Sequence, residues 1–347
     1  MSPSVTLVIP CRDGAETLGP CFEAILPALR SGALQRLVVV DDGSRDATAA
    51  VARRYGAEVL TGRGEGAGAA RNLGWRHVDS DLIWFVDADC VAEPDSLPVL
   101  LDHLRTAEST GGAPIAGVGG SYGNMRPEAL LSRLIHEEIV ARHAKMPEEV
   151  GFLATFNVLY RRSALMAVGG FDPRFLKGQD AELAYRLRAL GWRLRFERRS
   201  LVRHYHIDRL APYLRVQRKQ GYWRAFLAAQ HRQGAGGDGY ASRLEALPPA
   251  LALAMIGALP ACATPVGVLV EAGLLTALLA CHAPMAAELV RRTDDPTLWA
   301  YVPMASARAF VRGVGLAHGG LDLIRERAAS WRNSAKRGAD FDAGPAR

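Results

Sequence analysis

The sequence predicts an α/β fold with a mostly parallel, doubly wound sheet and a helical C-terminal region. Strand-like and helix-like runs alternate through the first hundred residues with short loops between them, the pattern of strands joined by crossover helices. The strand-like runs are uniformly apolar, as expected for strands buried on both faces. In the stretch 247–285 the only charged residue is Glu271, so that part is apolar enough to enter a membrane.

The individual elements follow from apolar periodicity and from stop signals. Val5–Ile9 is a short apolar strand that ends at Pro10, and Leu37–Val40 is the second strand. Gly56 stands just past a helix predicted over 47–55, where glycine commonly ends a helix. The other predicted strands are 58–60, 82–86, 115–120 and 155–162, and the other predicted helices of this half are 15–31, 69–75 and 130–144.

Composition narrows the class of protein. The chain has 347 residues, 49% of them hydrophobic and 22% charged, with a net charge of +6, which suits an anionic ligand or a membrane surface. No nucleic-acid-binding signature accompanies the charge, so no nucleic acid partner is expected. The cysteines form no CxxC pair, which predicts a reducing compartment without a disulfide framework. The N-terminus lacks the pattern of a cleavable signal peptide, and none is expected.

Two carboxylates follow the strand 82–86 directly. Asp87 and Asp89 are separated by one small residue, at a strand end of the kind beyond which α/β sheets bind their ligands. Paired carboxylates at this spacing suit a hard divalent cation, Mg²⁺ or Mn²⁺, together with the anion it carries, for which a diphosphate is expected. A plain turn is the alternative, because aspartate is common in turns.

Four short motifs follow one another in the first half of the chain: Val8–Asp13 (VIPCRD), Val40–Ser44 (VDDGS), Gly66–Asn72 (GAGAARN) and Asp87–Asp89 (DAD). In this order they resemble the motifs of family 2 glycosyltransferases, which have the GT-A fold. Their order and spacing match that family across residues 4 to 95. The resemblance implies a nucleotide-sugar donor and a divalent metal. It gives donor-binding roles to a set of residues in this half: Pro10, Arg12, Asp41, Asp42, Arg71 and Asp87.

Within that set, Asp42 is favoured as the acceptor for a base N–H, which favours a uridine donor. Asp41 is expected to cap the following turn. Arg71 would reach a base carbonyl or a phosphate, with a surface ion pair as the alternative. The family's metal ligand corresponds to Asp89, and Asp87 would meet the ribose or bind the metal through water.

The second half is expected to supply the acceptor side. The family's ED motif, whose aspartate is the general base, appears here as Gln179-Asp180, so the resemblance makes Asp180 the catalytic base. Glu182 is expected to favour the helix dipole, and Glu137 and Glu138 to be solvated. His206 is expected to face outward. Residues assigned to the acceptor or the diphosphate are Asn157, Gln179, His204, Gln217, Arg218 and Trp223.

These roles predict an inverting glycosyltransferase. One base and one in-line displacement at the anomeric carbon invert its configuration, and no residue offers itself as the nucleophile of a retaining mechanism. The acceptor would be a hydroxyl of a lipid-linked, glycan or small-molecule compound. Two alternatives stay open: a phosphatase of the haloacid dehalogenase type, whose nucleophile would be the first aspartate of DAD, and a non-catalytic nucleotide-sugar-binding protein.

The predicted organisation is a catalytic domain over 1–230, divided at about residue 100, and a helical region over 231–330. The apolar hairpin 247–285 turns at Pro265 and has arginines on both flanks, which predicts the cytoplasmic face of the inner membrane. Whether it spans the membrane, re-enters, lies at the interface or is buried stays open. An amphipathic helix is predicted over 298–324 and a disordered tail over 331–347, and a fragment ending before Leu247 is expected to be soluble and to bind the donor.

Overall fold

The computed structural model describes residues 3–109, 111–231 and 243–342. A nine-stranded sheet runs through these residues in the order β3-β2-β1-β4-β8-β6-β9-β5, with β7 paired to β9. Its strands are β1 Val5–Cys11, β2 Arg36–Asp41, β3 Glu58–Thr61, β4 Leu82–Val86, β5 Cys90–Ala92, β6 Ile115–Asn124, β7 Glu149–Val150, β8 Asn157–Arg161 and β9 Arg193–His204.

Helices cover both faces of the sheet and continue into the C-terminal region. Their bounds are α1 Ala15–Arg30, α2 Thr48–Arg54, α3 Ala67–Arg76, α4 Ser96–Ser109, α5 Leu130–His143, α6 Arg162–Val168, α7 Gln179–Ala189, α8 Leu210–Gln230, α9 Leu247–Ala258, α10 Pro265–Thr293 and α11 Tyr301–Asp342. The α/β class and the parallel first half are confirmed: β1 pairs in parallel with β2 and β4, and β2 with β3.

In the second half of the sheet, strand β8 runs antiparallel to its neighbours, and this brings candidate site residues to one edge. β8 is antiparallel to both β4 and β6, so its first residue, Asn157, lies opposite Val86 at the end of β4. β6 and β9 run parallel and end together, with Asn124 opposite His204. The carboxyl ends of β1, β2, β4, β6 and β9 therefore meet the amino end of β8 at one edge of the sheet.

The apolar hairpin is present and turns where Pro265 predicted. A short 3₁₀ turn, Leu259–Ala263, follows α9, and the Thr264 hydroxyl accepts a hydrogen bond from the Gly267 N–H at 3.1 Å to cap α10. Helix α10 is 29 residues long, and its most apolar 18-residue window has a mean hydropathy of 1.8 and is 17% buried. It is the only helix of the described residues that is long and apolar enough to cross a membrane.

Helix α11 packs more deeply than an amphipathic surface helix would. It lies along α8, and Arg308 is buried, with its guanidinium bonded to the Glu138 carboxylate of α5 at 2.5 and 3.0 Å. The expectation that Glu138 is solvated is therefore wrong. Because α11 covers apolar residues of α5 and α8 such as Leu134 and Tyr213, a fragment ending before Leu247 would expose part of the core.

The C-terminal end of the chain also differs from expectation. Helix α11 continues to Asp342, whereas a disordered tail was predicted from residue 331. Residues 343–347 lie outside the described residues, as do 232–242, which follow the predicted boundary between the catalytic and helical regions at 230/231.

Candidate active site

The two aspartates of the DAD motif lie in a tight turn between β4 and β5. The Asp87 N–H bonds to the carbonyl of Phe156 at 3.3 Å, and the Cys90 N–H bonds to the carbonyl of Asp87 at 3.0 Å. The first bond ties the turn to the loop that leads into β8. Both aspartate side chains stay partly exposed at the edge where the strands converge.

Asp89 faces a histidine at the end of β9, the strand that pairs with β5. Its Oδ2 lies 3.2 Å from Nε2 of His204, the last residue of β9, and the Asp89 carbonyl accepts the Tyr205 N–H at 3.0 Å. Although burial opposes ionisation, the hydrogen bond from His204 holds the pKa of Asp89 below its usual value. The assignment of His204 to the metal or diphosphate stays a prediction, and the contact places it beside the predicted metal ligand.

The donor atoms near Asp89 fit a divalent metal. Asp89, Cys90 and His204 offer three ligand atoms within 4.8 Å of one another. Cys90 is fully buried, and burial raises the pKa of its thiol well above the usual value, so it is a neutral and poor ligand. The remaining carboxylate oxygen and imidazole nitrogen suit Mn²⁺ better than Mg²⁺, which prefers oxygen ligands.

His206 does not face outward as expected. It is 2% exposed, and its Nδ1 lies 2.9 Å from Nδ1 of His204, so one proton must lie between the two rings. Its role was missed, although the spacing carried the signal: residues i and i+2 of an extended segment point the same way. His206 orients the ring that faces Asp89.

Arg71 projects from α3 into this edge of the sheet and is 2% exposed. Its Nη2 donates to Oδ1 of Asp87 at 2.6 Å, and its guanidinium lies 5.7 Å from the ring centre of Phe171. Its Nε and Nη1 have no partner among the described residues. A buried cation with unused donors is unusual, because such donors are costly to leave unpaired. The predicted ion pair is present, but it is buried and leaves donors for an anion.

Asp42 has a different task from the predicted one. Its carboxylate is buried and accepts the N–H groups of Gly64, Glu65 and Gly66 at 2.8, 3.2 and 2.7 Å. It therefore shapes the glycine-rich loop that leads into α3. Gly66 has φ +97°, a conformation that favours glycine, so the loop depends on this residue as well.

Asp41 caps the next turn as predicted. Its Oδ1 accepts the Ser44 N–H at 2.9 Å, and its Oδ2 has no partner among the residues that the structure describes. Pro10 is buried in β1 beside Val40 of β2, one residue before the strand end. Arg12 is exposed near Gly64. The donor-binding roles of Asp41, Pro10 and Arg12 stay predictions.

Asp180 occupies the first turn of α7. Its Oδ1 accepts the Ala181 N–H at 2.9 Å, while burial raises the pKa of its carboxyl group, a shift that nearby Arg71 partly opposes. Gln179 is 8% exposed, packs beside Gly68, and has a buried Oε1 with no described partner. Glu182 is fully buried and paired with Arg186. Besides its predicted favourable interaction with the helix dipole, it therefore helps to hold α7 in the fold.

Two residues assigned to the acceptor side are structural instead. Asn157 is fully buried: its Oδ1 accepts Trp84 Nε1 at 2.9 Å, and its Nδ2 donates to Ser200 Oγ at 3.0 Å. Gly120 passes so close that a Cβ there would lie 2.2 Å from that Nδ2. Gln217 is 7% exposed, and its Oε1 accepts Arg312 Nε of α11 at 2.8 Å. Both polar atoms of Asn157, and the Oε1 of Gln217, are therefore occupied by protein partners.

The other two acceptor-side candidates differ from each other. Trp223 is partly buried, with its ring centre 5.7 Å from that of Phe175, whose cluster includes Ala181 next to Asp180. Arg218 lies on the exposed face of α8. The assignment of Trp223 to the acceptor stays a prediction with a suitable location, and that of Arg218 stays a prediction without a described contact.

Comparisons with known proteins identify the family of the chain. The family description "Glycosyl transferase family 2" matches residues 6–169. The pre-mycofactocin glycosyltransferase of Mycobacterium tuberculosis (strain H37Rv) is 33% identical over 235 residues, which are 65% of this chain and 48% of that protein. An uncharacterized glycosyltransferase of the same strain is 32% identical over 195 residues, 55% of this chain and 82% of that protein.

The chain spans about half the length of the first of these relatives. Among solved structures, the mannosyltransferase PcManGT from Pyrobaculum calidifontis, in complex with GDP-Man and Mn²⁺, superposes with a TM-score of 0.57 at 18% identity. The superposition covers 91% of this chain and 88% of that one, so the shared fold includes most of the C-terminal helices.

Proposed function

The chain belongs to glycosyltransferase family 2, and we propose that it transfers a sugar from a nucleotide-sugar donor to an acceptor hydroxyl, with inversion at the anomeric carbon. The observation that carries the proposal is the meeting of three groups at one sheet edge. Asp89 with His204 offers a metal site, Arg71 offers buried donors to an anion, and Asp180 offers a carboxylate base.

We propose that Asp89 and His204 hold the metal, with Mn²⁺ preferred. When bound, such a metal neutralises negative charge that develops on a leaving diphosphate. Arg71 adds a second cation on the same side, held in place by Asp87 and by the ring of Phe171. The two unused guanidinium nitrogens would then gain the partners that the described residues do not supply.

Asp180 takes the proton of the attacking hydroxyl in this proposal. Burial raises the pKa of its carboxyl group, which makes the carboxylate a stronger base than an exposed aspartate. Arg71 and Asp87 both lie close enough to Asp180 to shift its pKa, Arg71 downward and Asp87 upward. The phosphatase alternative gains no support, because its nucleophile would be Asp87, which is ion-paired with Arg71.

We propose a uridine donor, with the base N–H accepted by Asp41 rather than Asp42. The Asp42 carboxylate already binds three backbone amides, whereas Asp41 keeps one oxygen without a described partner. Calorimetry with UDP and GDP in the presence of Mn²⁺ tests the choice. Tighter binding of UDP, weakened in Asp41→Asn, supports it, and a clear preference for GDP would overturn it.

Transfer itself is tested by incubating the purified full-length protein with a panel of nucleotide sugars and a membrane lipid extract. Asp89→Ala should abolish transfer while the fold, followed by circular dichroism, is retained. Unchanged turnover of the wild type in excess chelator would overturn the metal assignment. Binding of a nucleotide sugar without transfer to any acceptor would favour the non-catalytic alternative.

We propose further that the hairpin of α9 and α10 anchors the protein to the cytoplasmic face of the inner membrane. Exposed apolar side chains concentrate toward its tip, with Leu259 57%, Val266 70% and Leu269 72% exposed. The other end of α10 is packed, since Leu278, Ala286 and Leu289 are fully buried. A tip-first, re-entrant insertion buries the exposed group and leaves the packed end in place.

Cys262, a free thiol at the tip, reports the depth of insertion. A membrane-impermeant maleimide added from the periplasmic side should leave Cys262 unmodified, and detergent should make it reactive. Cys281, on the packed half of α10, is the control. Periplasmic labelling of Cys262 in intact cells would mean a full span, and recovery of the protein in the supernatant without detergent would exclude an anchor.

A further inference from the structure

A small apolar cavity lies on the acceptor half of the sheet. It has a volume of about 180 Å³ and is lined by β6, α5 and the loop before β8. The residues on which the argument depends are Tyr122, Ile139, Phe152, Leu153, Ala154 and Phe196. None of them has a role in the site described above.

The size and lining of the cavity limit what it can hold. An engineered cavity of about 150 Å³ lined by aliphatic and aromatic side chains binds benzene, so this one has room for a single six-membered ring. Its titratable lining side chains are Tyr122 and His143, and the His143 ring is bonded to the Ser121 hydroxyl at 2.6 Å. Charged groups and open-chain sugars therefore find little to bind, and a long polyprenyl chain is too large.

Two of the lining side chains, Tyr122 and Phe152, contact different parts of the candidate active site. On one side, the Tyr122 ring centre is 5.3 Å from that of His204, which faces Asp89. On the other side, Phe152 packs against the cluster of Phe175 and Ala181, next to Asp180. The cavity therefore has one wall beside His204 and another on the cluster that includes Ala181, the residue next to the proposed base.

We propose that this cavity binds a ring-sized apolar group of the acceptor, adjacent to the hydroxyl that receives the sugar. This inference rests on the proposed glycosyl transfer for its biological meaning. It narrows the acceptor class to compounds that carry an aromatic or compact cyclic group near the reacting hydroxyl. The ring supplies binding energy through burial of apolar surface, and the hydroxyl extends toward Asp180.

Binding of simple alcohols tests the cavity without knowledge of the sugar. The full-length protein in detergent, with UDP and Mn²⁺ present, is titrated with benzyl alcohol, cyclohexylmethanol and ethanol by ligand-observed NMR. Benzyl alcohol and cyclohexylmethanol should bind at least tenfold more tightly than ethanol. Equal affinities for the three alcohols would overturn the proposal.

Two variants alter the cavity in opposite directions. Ala154→Leu fills it and should abolish the preference for benzyl alcohol, while Ala24→Leu on α1, a partly buried alanine outside the cavity, should leave it intact. Ile139→Ala enlarges it and should improve the affinity for 2-naphthylmethanol relative to benzyl alcohol. Should Ala154→Leu fail to fold, Ile139→Ala still decides, because an unchanged ratio of the two affinities contradicts the proposal.

The test separates this inference from the proposed function. Aryl alcohols that bind in the cavity of a protein that transfers no sugar would sustain the cavity site and refute the transferase. Transfer with no advantage for ring-bearing acceptors would refute the cavity site and sustain the transferase. With both correct, ring-bearing alcohols consume the donor faster than ethanol, and Ala154→Leu removes that difference while the affinity for UDP stays the same.

Discussion

Glu138→Gln should strongly destabilise the protein without affecting the chemistry. The Glu138 carboxylate accepts two hydrogen bonds from Arg308, at 2.5 and 3.0 Å, and two from Arg142, at 2.8 and 3.2 Å. The side chains of Glu138 and Arg308 are 8% and 10% exposed. The change to glutamine leaves the buried Arg308 with no carboxylate partner and leaves Arg142 with only the carboxylate of Glu245.

The expected magnitude follows from this burial. Breaking a buried ion pair by removal of one partner costs about 3–5 kcal/mol, because the remaining charge stays desolvated. Burial opposes the ionisation of Glu138, but Arg308 and Arg142 outweigh it and hold the pKa of the carboxyl group well below its ordinary value. The stabilisation is thus fully present above the pKa of the unfolded chain, about 4.3, and is lost as the pH falls toward the folded value.

The assay is denaturant unfolding of the full-length protein in mild detergent. Glu137→Gln is the matched control. Glu137 lies next to Glu138 on α5 but forms no hydrogen bond or ion pair with described residues, so its change should cost less than about 0.5 kcal/mol. The double variant Glu138→Leu with Arg308→Met should recover most of the loss. A free energy of unfolding for Glu138→Gln within about 0.5 kcal/mol of wild type would refute the reasoning, and loss of UDP affinity in the folded variant would assign Glu138 to the site instead.

Three further changes test the site. Asp180→Asn should lower kcat by roughly 10²–10⁴ with UDP affinity retained, and near-normal kcat would remove Asp180 as the base. Burial raises the pKa of Asp180, so wild-type kcat/KM should fall at acidic pH with an apparent pKa above that of a free aspartate. Steady-state rates from pH 4 to 8 measure this acidic decrease, which should disappear in Asp180→Asn. His206→Phe should weaken Mn²⁺ binding about 10–100-fold by calorimetry, whereas His206→Asn should restore part of it, and equal affinities would mean that His206 does not orient His204. Asp42→Asn should increase protease cleavage within 62–66, and an unchanged cleavage rate would show that its three amide bonds do not hold the loop.

The first half of the fold was predictable because its information is local. Apolar runs and glycines at helix ends predicted β1 to β4 and α1 to α3 to within a few residues. The position of Asp87 and Asp89 directly after a strand identified them as candidate ligands. The pairing of β8 and β6 was beyond this reasoning, since antiparallel insertion depends on contacts between distant residues. So was the contact of His204 with Asp89, which are 115 positions apart (204 − 89) and meet only because β5 and β9 are paired.

The errors have a common physical cause. Asn157, Gln217 and Glu138 are polar, and sequence reasoning places polar residues in solvent or in a binding cleft. In the structure each is buried with a polar partner that lies far along the chain. Asp42 and Asp41 show the same limit at short range, because only the path of the 62–66 loop decides which carboxylate is occupied.

Helix α10 fixes the distance between the tip of the hairpin and the packed end of the helix. It extends about 43 Å from its apolar start to its packed end, at 1.5 Å per residue over 29 residues. If the hairpin inserts tip-first as proposed, the start of α10 lies in lipid while its other end is packed in the cluster that contains Leu134 of α5, and the reacting edge of the sheet would stand at a constant height above the bilayer. Under that proposal, an acceptor embedded in the same bilayer would have to carry its hydroxyl at that height, and a headgroup too short or too long would not reach the active site.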